Sequence, residues 1–349
     1  MQESLSLGHA WQVRTKQEYQ GWLVPWEAAG YSEDARVAAG GGGVFDLSAW
    51  GSVAVRGVDA ADFLNRMSTV DLGVMRAPAV AHGALLTGKA GTVAMGFLLM
   101  ADSDSFHFVL PPPLATRAAE HLERFHFGEK LEIADESAGW GLAGLWSPGG
   151  RSALAGLPDA GSMSPLSPST ASIRGIPVEF WRDDARPALV WVRMKRDRTG
   201  DFFEVARSGG LPLLGYRLFE HFRIEAGVPQ AGLDFGEADI VLESGFERAV
   251  AHNKGCYPGQ EVVERIRTYG RVNRRIYRVA VEGAAPSVPC DVFAEGERER
   301  AGQLVSLSAI PGEVSRGIGL AFVHRKYLEG GEPSLVAAGG ARVRVLSRE

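Results

Sequence analysis

Apolar positions along this chain recur with two periods, and the switching between them predicts its elements. Val53-Ala54-Val55 alternates into Gly57 and reads as a strand. Behind Asp59, with Asp62 three residues on, Phe63, Leu64 and Met67 share one face of a short helix. Residues 83–87 and 93–100 read as consecutive strands around Gly88-Lys89-Ala90-Gly91, and 106–110 alternates as a third. Pro111-Pro112-Pro113 stops it, and Leu114, Ala118, Leu122 and Phe125 then return at helical spacing. Residues 189–194 predict a strand, and Arg198-Thr199-Gly200-Asp201 a turn into another strand at 202–205. Residues 216–226 predict a helix burying Leu218, Phe219 and Phe222, with Gly227 as its left-handed cap and Pro229 barring continuation. Beyond Ile276 the pattern is all strand and turn, at 276–281, 292–294, 302–307, 318–323 and 342–346, the spacing of a small antiparallel barrel or sandwich.

Between these segments the chain is less regular. Trp11, Tyr19, Trp22, Leu23 and Trp26 give the first forty residues enough aromatic surface to dock on a body. Gly40 to Gly43 could cradle a phosphate, but no Gly-Lys-Ser/Thr follows, so the run is expected to be a flexible joint. From 146 to 177 the composition turns to Ser, Pro, Gly and Ala, as in an excursion between domains.

The 349 residues allow two or three domains, and a 45% hydrophobic, 23% charged composition allows an ample core. A net charge of −5 and a pI near 6.0 argue against a nucleic-acid binder. Two cysteines make no disulfide framework, and no Cys/His spacing suggests a metal; His121 and His126, five apart, do not stack on one helical face. Residues 1–11 lack a basic, apolar leader, and no apolar run approaches the ~18 residues of a membrane helix, so a cytoplasmic protein is expected.

Candidate chemistry concentrates at 253–262. Cys256 lies two residues after Lys254 and just before the turn dipeptide Pro258-Gly259. Such a setting can lower a thiol pKa or bring backbone close to a ligand; it can equally be a turn with Tyr257 packed inward and Cys256 inert. Next come Arg265, Arg267, Arg271, Arg274, Arg275 and Arg278, six arginines in fourteen residues, which suit carboxylates or phosphates and could also line a solvated strand face.

Lys254-Gly255-Cys256-Tyr257-Pro258-Gly259-Gln260-Glu261 resembles the Lys-Gly-Cys-Tyr-Thr-Gly-Gln-Glu signature of the folate-binding YgfZ family, with Pro258 in place of the threonine and its hydroxyl. That family is a branch of the glycine-cleavage T-protein (GcvT) superfamily whose members assist iron–sulfur proteins. Phe45-Asp46-Leu47-Ser48, Gly57-Val58-Asp59-Ala60 and Phe63-Leu64-Asn65-Arg66 are similar to the superfamily's opening block. Residues 198–205 resemble its Thr-Gly-Glu-x-Gly-Phe-Glu segment, and Arg223-Ile224-Glu225-Ala226-Gly227 its Arg-x-Glu-Ala-Gly motif. Gly232-Leu233-Asp234 and the barrel landmarks at 302–306 and 319–323 extend the resemblance from about 44 to 345.

The resemblance implies an α+β fold: two antiparallel-sheet domains with helices, then a C-terminal antiparallel β-barrel, around a central cavity. The boundaries expected are 1–140, 141–265 and 266–349. It implies tetrahydrofolate or a one-carbon derivative as cofactor, with Arg223 and Glu225 at the pterin and Arg271, Arg274 and Arg275 at the glutamate tail. Cys256 would sit at the cavity or at a partner surface; RNA is the runner-up partner for the arginines. One departure matters. Where T-proteins carry Gly-Gly-x-x-Asp-Asp, this chain has Gly91-Thr92-Val93-Ala94-Met95-Gly96, without an acid until Asp102. Neither Met95 nor Gly96 can exchange a proton. The expectation is therefore a folate-binding accessory protein for iron–sulfur cluster assembly or repair, with iron–sulfur clients or assembly proteins as partners. The alternative is a folate-dependent one-carbon transferase.

Overall fold

The computed structural model describes residues 2–8, 11–151, 154–296, 299–329 and 333–346. These group into two compact units, one drawn from 1–85, 94–219 and 249–257, the other from 86–93, 220–248 and 258–349. The helices are α1 (Tyr31–Gly40), α2 (Ala60–Met67), α3 (Leu114–Glu123), α4 (Thr199–Ser208), α5 (Tyr216–Glu225) and α6 (Gln260–Tyr269).

The first unit is built on sheets. A five-stranded antiparallel sheet runs Ala79–Leu86, Thr92–Asp102, Ser105–Leu110, Gly51–Arg56, Glu132–Asp135. A six-stranded sheet runs Ser169–Ile173, Ile176–Arg182, Leu189–Lys195, Trp140–Trp146, Gly43–Asp46, Leu213–Leu214. Aromatic side chains join the two sheets. Phe97 of the five-stranded sheet packs edge-on against Trp181 and Trp191 of the six-stranded one, at 5.6 and 5.2 Å between ring centres. Trp50 meets Trp191 at 4.9 Å, and Phe219 of α5 closes the cluster. Each such pair adds about 0.5–1.5 kcal/mol beyond the apolar area it buries.

The second unit carries the barrel. Its closed strand order is Arg274–Glu282, Arg316–His324, Arg300–Ala309, Cys290–Ala294, Leu335–Ala337, Arg342–Val345. Arg274–Glu282 pairs with both its neighbours, Arg316–His324 and Arg342–Val345, which closes the ring and leaves no strand edge. Val279, Val292, Leu304, Ala321 and Val343 fill the interior. The α+β expectation with a terminal barrel therefore holds. The barrel has a sixth strand, Leu335–Ala337, too short for its alternation to stand out in sequence.

Other expectations are corrected. The segment 202–205 is not a strand: it lies inside α4, where Phe202, Phe203 and Ala206 face the core of the six-stranded sheet. Phe-Phe-Glu-Val has strand-like composition, and burial at i, i+1 and i+4 outweighs it. The glycine run is not a joint. Gly40 ends α1, and Gly43 opens a fully buried strand. A Cβ on Gly42, at φ 85°, would lie 2.1 Å from the Trp146 carbonyl oxygen, so the glycines permit close packing. The excursion expected at 146–177 ends in structure: from Ser169 the chain enters a hairpin of the six-stranded sheet, Ser169–Ile173 with Ile176–Arg182. Asp59 precedes α2 without a side-chain capping bond; its carboxylate accepts from the Lys130 amide at 2.7 Å instead. Phe125 lies beyond α3 and is exposed. The amino-terminal aromatics do pack: Tyr19 lies 4.7 Å from Tyr216, and Trp11 6.0 Å from Phe203.

Candidate functional site

Helix α5 forms because Leu218, Phe219 and Ile224 are buried along it, and it stops at Gly227, which takes φ 67°. Arg223, in its last turn, belongs to the second unit. Its Nη1 donates to Asp234 at 2.6 Å and to the Val228 carbonyl at 2.8 Å. Its Nη2 donates to Glu220 at 2.9 Å and to the Ser306 hydroxyl of the barrel at 3.1 Å. Asp234 is itself buried, and accepts from the Gln230 amide and the Ser306 hydroxyl as well. Glu225, two residues on, is exposed. Its backbone is held, because Arg278 Nη1 donates to its carbonyl at 2.6 Å, where a cation also suits the helix end. The motif thus divides into an anchored arginine and a displayed carboxylate on a fixed backbone.

The loop at 253–262 divides similarly. Lys254 is buried, and its ammonium donates to the carbonyls of Asn65, Ser68 and Val70 at 2.7, 2.7 and 2.6 Å. These carbonyls close the C-terminal end of α2. Thr69 adds a hydroxyl bond to the Ala249 carbonyl and accepts, through its own carbonyl, the Ala251 amide. Burial pushes Lys254 down to about 8, with Asp71 pulling the other way. Only the ammonium form has three N–H groups for three oxygens, so this geometry itself favours the charged state. Tyr257 packs inward, its ring 5.2 Å from Lys254 Nζ, while Cys256 is exposed. Gly259, at φ 81°, precedes α6 and completes the turn expected at Pro258-Gly259. Gln260 and Glu261 open that helix.

The arginine run does not remain one free cluster. Arg274 pairs with Asp239 at 2.6 Å and Glu243 at 3.3 Å, Arg275 with Glu247 at 3.1 Å, and Arg267 with Glu264 at 3.2 Å. Three of these acids lie about thirty residues upstream, and sequence reading missed them. Arg267, Arg271, Arg274 and Arg275 nevertheless line one pocket of about 490 Å³, joined by Arg325 and floored by Leu242, Ile266 and Val272. Arg271 is exposed there. Neither Arg223 nor Glu225 lines this pocket.

Met95 is buried and Gly96 lies on the long strand Thr92–Asp102. A Cβ on Gly96 would sit 2.2 Å from the Val109 carbonyl oxygen, so an aspartate there would need the backbone to move. Among the described residues, no group of three or more His, Cys, Asp or Glu is placed to hold a metal. Cys290 is half-buried at the start of a barrel strand, its thiol pushed up by burial.

Residues 9–182 match the family described as the GCVT N-terminal domain. That match, together with the aminomethyltransferase relatives, supports the GcvT superfamily for this chain. An aminomethyltransferase of Rubrobacter xylanophilus is 28% identical over 321 residues, 88% of this chain and 82% of that protein. One from Thermus thermophilus is 24% identical over 88% of this chain and 86% of its own length. The crystal structure of glycine cleavage system aminomethyltransferase T from Bartonella henselae superposes with a TM-score of 0.80, at 18% identity, covering 96% of this chain and 93% of that one. That likeness shows a shared fold. The stretch from Gly91 to Ala101, with Met95 and Gly96 in it, carries no acid. No described helix is long and apolar enough to cross a membrane.

Proposed function

We propose that this protein binds a reduced folate and performs one-carbon chemistry on it, as an aminomethyltransferase-type member of the GcvT superfamily. Relatives covering 88% of its length carry the name aminomethyltransferase. The observation that carries the reading is Glu225. It is an exposed carboxylate on backbone fixed by Arg278 on one side and by the buried Arg223 anchor on the other. A carboxylate so held suits the amino-pyrimidine edge of a pterin, which offers two parallel N–H donors, and fixing its backbone limits the ordering cost of binding. Arg271, Arg274 and Arg275 are the residues assigned to the folate's glutamate tail.

The test is calorimetric titration with a stable reduced folate, wild type beside Glu225→Ala. A tenfold or greater loss of affinity, about 1.4 kcal/mol, is expected; equal affinity in the two proteins refutes the assignment of Glu225.

A second reading is an accessory protein for iron–sulfur cluster assembly or repair, with iron–sulfur proteins as partners. It is favoured by the absence of an acid between Gly91 and Asp102 and by Cys256, exposed on a loop clasped through Lys254. Two free thiols fit a reducing cytoplasm. Supplying folate and an aminomethyl donor separates the two readings: turnover supports the transferase, and tight binding without turnover supports the accessory role. In the latter case Cys256→Ala should retain folate affinity and lose support of iron–sulfur enzymes in cells.

A further inference from the structure

The first unit holds a second pocket, of about 330 Å³, between its two large sheets. Its apolar wall is Pro78, Leu99 and Met100, and its polar wall His107, Glu179 and Arg193. The strand registers place these groups. Leu99 and His107 are cross-strand partners in the five-stranded sheet, so they share a face. Glu179 and Arg193 are partners in the six-stranded sheet. Ser52 bridges the sheets, its hydroxyl 3.4 Å from both His107 Nδ1 and Arg193 Nη2.

Arg193 is the unusual member. It is 2% exposed, its guanidinium stacks 3.3 Å over the Trp140 ring, and its Nη1 donates to Glu179 at 2.7 Å. Its buried Nε has no acceptor among the described residues. A buried guanidinium short of an acceptor is costly unless something else supplies one. Lys195 lies over the same Trp140 ring at 3.9 Å, and Arg56 Nη2 sits 3.4 Å from His107 Nε2. Burial first, then Arg193 and Arg56, hold His107 down at about 3 against the opposing pull of Glu136, so its imidazole is neutral.

From this geometry we propose that the pocket binds a small carboxylate with an apolar body, its carboxylate directed to the Arg193 wall and its body against Leu99, Met100 and Pro78. The volume lies at the low end of small-ligand sites, and apolar walls with a few convergent polar groups are their usual construction. None of these residues belongs to the motifs assigned to folate, so the proposal stands independently of that reading.

The test uses benzoate and its uncharged analogue benzamide, titrated into the full-length protein by calorimetry and ligand-observed NMR. Benzoate is expected to bind saturably and at least tenfold more tightly than benzamide. Met100→Trp, at a half-buried lining position, should fill the pocket and abolish benzoate binding. Arg193→Gln should erase the preference for benzoate; because that change is buried, Glu179→Gln serves beside it, and it should strengthen benzoate binding by removing the competing carboxylate. Equal affinity for the two probes, benzoate binding that survives Met100→Trp, or no binding of benzoate at millimolar concentration would each overturn the proposal.

Discussion

Replacing Arg223 by methionine keeps the length of the apolar stem and removes the guanidinium. The structure sets the cost. Four partners lose a donor: Glu220, Asp234, the Val228 carbonyl and the Ser306 hydroxyl. Asp234 is the decisive one, because its side chain is 0% exposed and its Arg223 contact is the ion pair, at 2.6 Å. The Gln230 amide and Ser306 hydroxyl still donate to it, which offsets part of the loss. Glu220, 10% exposed, is freer to recruit water. Breaking one buried pair costs about 3–5 kcal/mol because a charge is left uncompensated. Domains have only about 5–15 kcal/mol in all, so the second unit should become marginal. Tryptophan fluorescence is a poor assay here: all eight tryptophans lie in the first unit. Hydrogen exchange at 220–235 and across the barrel strands, with calorimetry, reports the right region. Arg223→Lys should fall between wild type and Arg223→Met, since an ammonium keeps the charge without the planar fork. Adding Asp234→Asn to Arg223→Met should recover part of the loss, because the double variant no longer buries the Asp234 charge unpaired. A loss under about 1 kcal/mol for Arg223→Met, or no recovery on adding Asp234→Asn, would refute the reasoning.

Lys254→Met should loosen the joint between 65–70 and 249–257, by roughly 1–3 kcal/mol for the carbonyls left unpaired, read as faster amide exchange in both segments; unchanged exchange would remove the clasp from the account. Gly42→Ala places a Cβ against the Trp146 carbonyl at a positive φ and should cost about 2 kcal/mol or more, visible as a lower urea midpoint by tryptophan fluorescence. Arg56, hydrogen-bonded to Glu136 at 2.6 Å, holds that carboxyl at about 2, below its ordinary 4.5. A carboxyl depressed on folding stabilises fully above its unfolded value and loses that contribution as pH falls towards its folded one. The stability gap between wild type and Arg56→Met should therefore narrow as pH drops from about 4.5 towards 2, and a constant gap would contradict the pairing. Iodoacetamide should label exposed Cys256 before half-buried Cys290, with peptide mapping as the readout.

The sequence by itself determined what depends on local chemistry. Alternation of apolar residues marked the strands at 53–55 and 106–110 and most of the barrel, because a side chain's face in a strand depends only on its parity. Gly227 and Gly259 marked a helix end and a turn, because both take positive φ. The order of short motifs pointed to the superfamily, and the absence of an acid at Met95-Gly96 was visible at once. Tertiary structure decided what depends on partners distant in sequence. It made 199–208 a helix, where local composition favoured a strand, because the buried face against the six-stranded sheet outweighs propensity. It turned the glycine run from a joint into a close contact, since the Trp146 carbonyl lies a hundred residues away. It paired Arg274 and Arg275 with Asp239, Glu243 and Glu247, carboxylates whose proximity no spacing rule contains. It separated Arg223 from Glu225 and Lys254 from Cys256, sending one of each pair inward and the other out. Two residues apart in sequence, these side chains differ in environment because burial is set by what packs against them, which only the folded chain supplies.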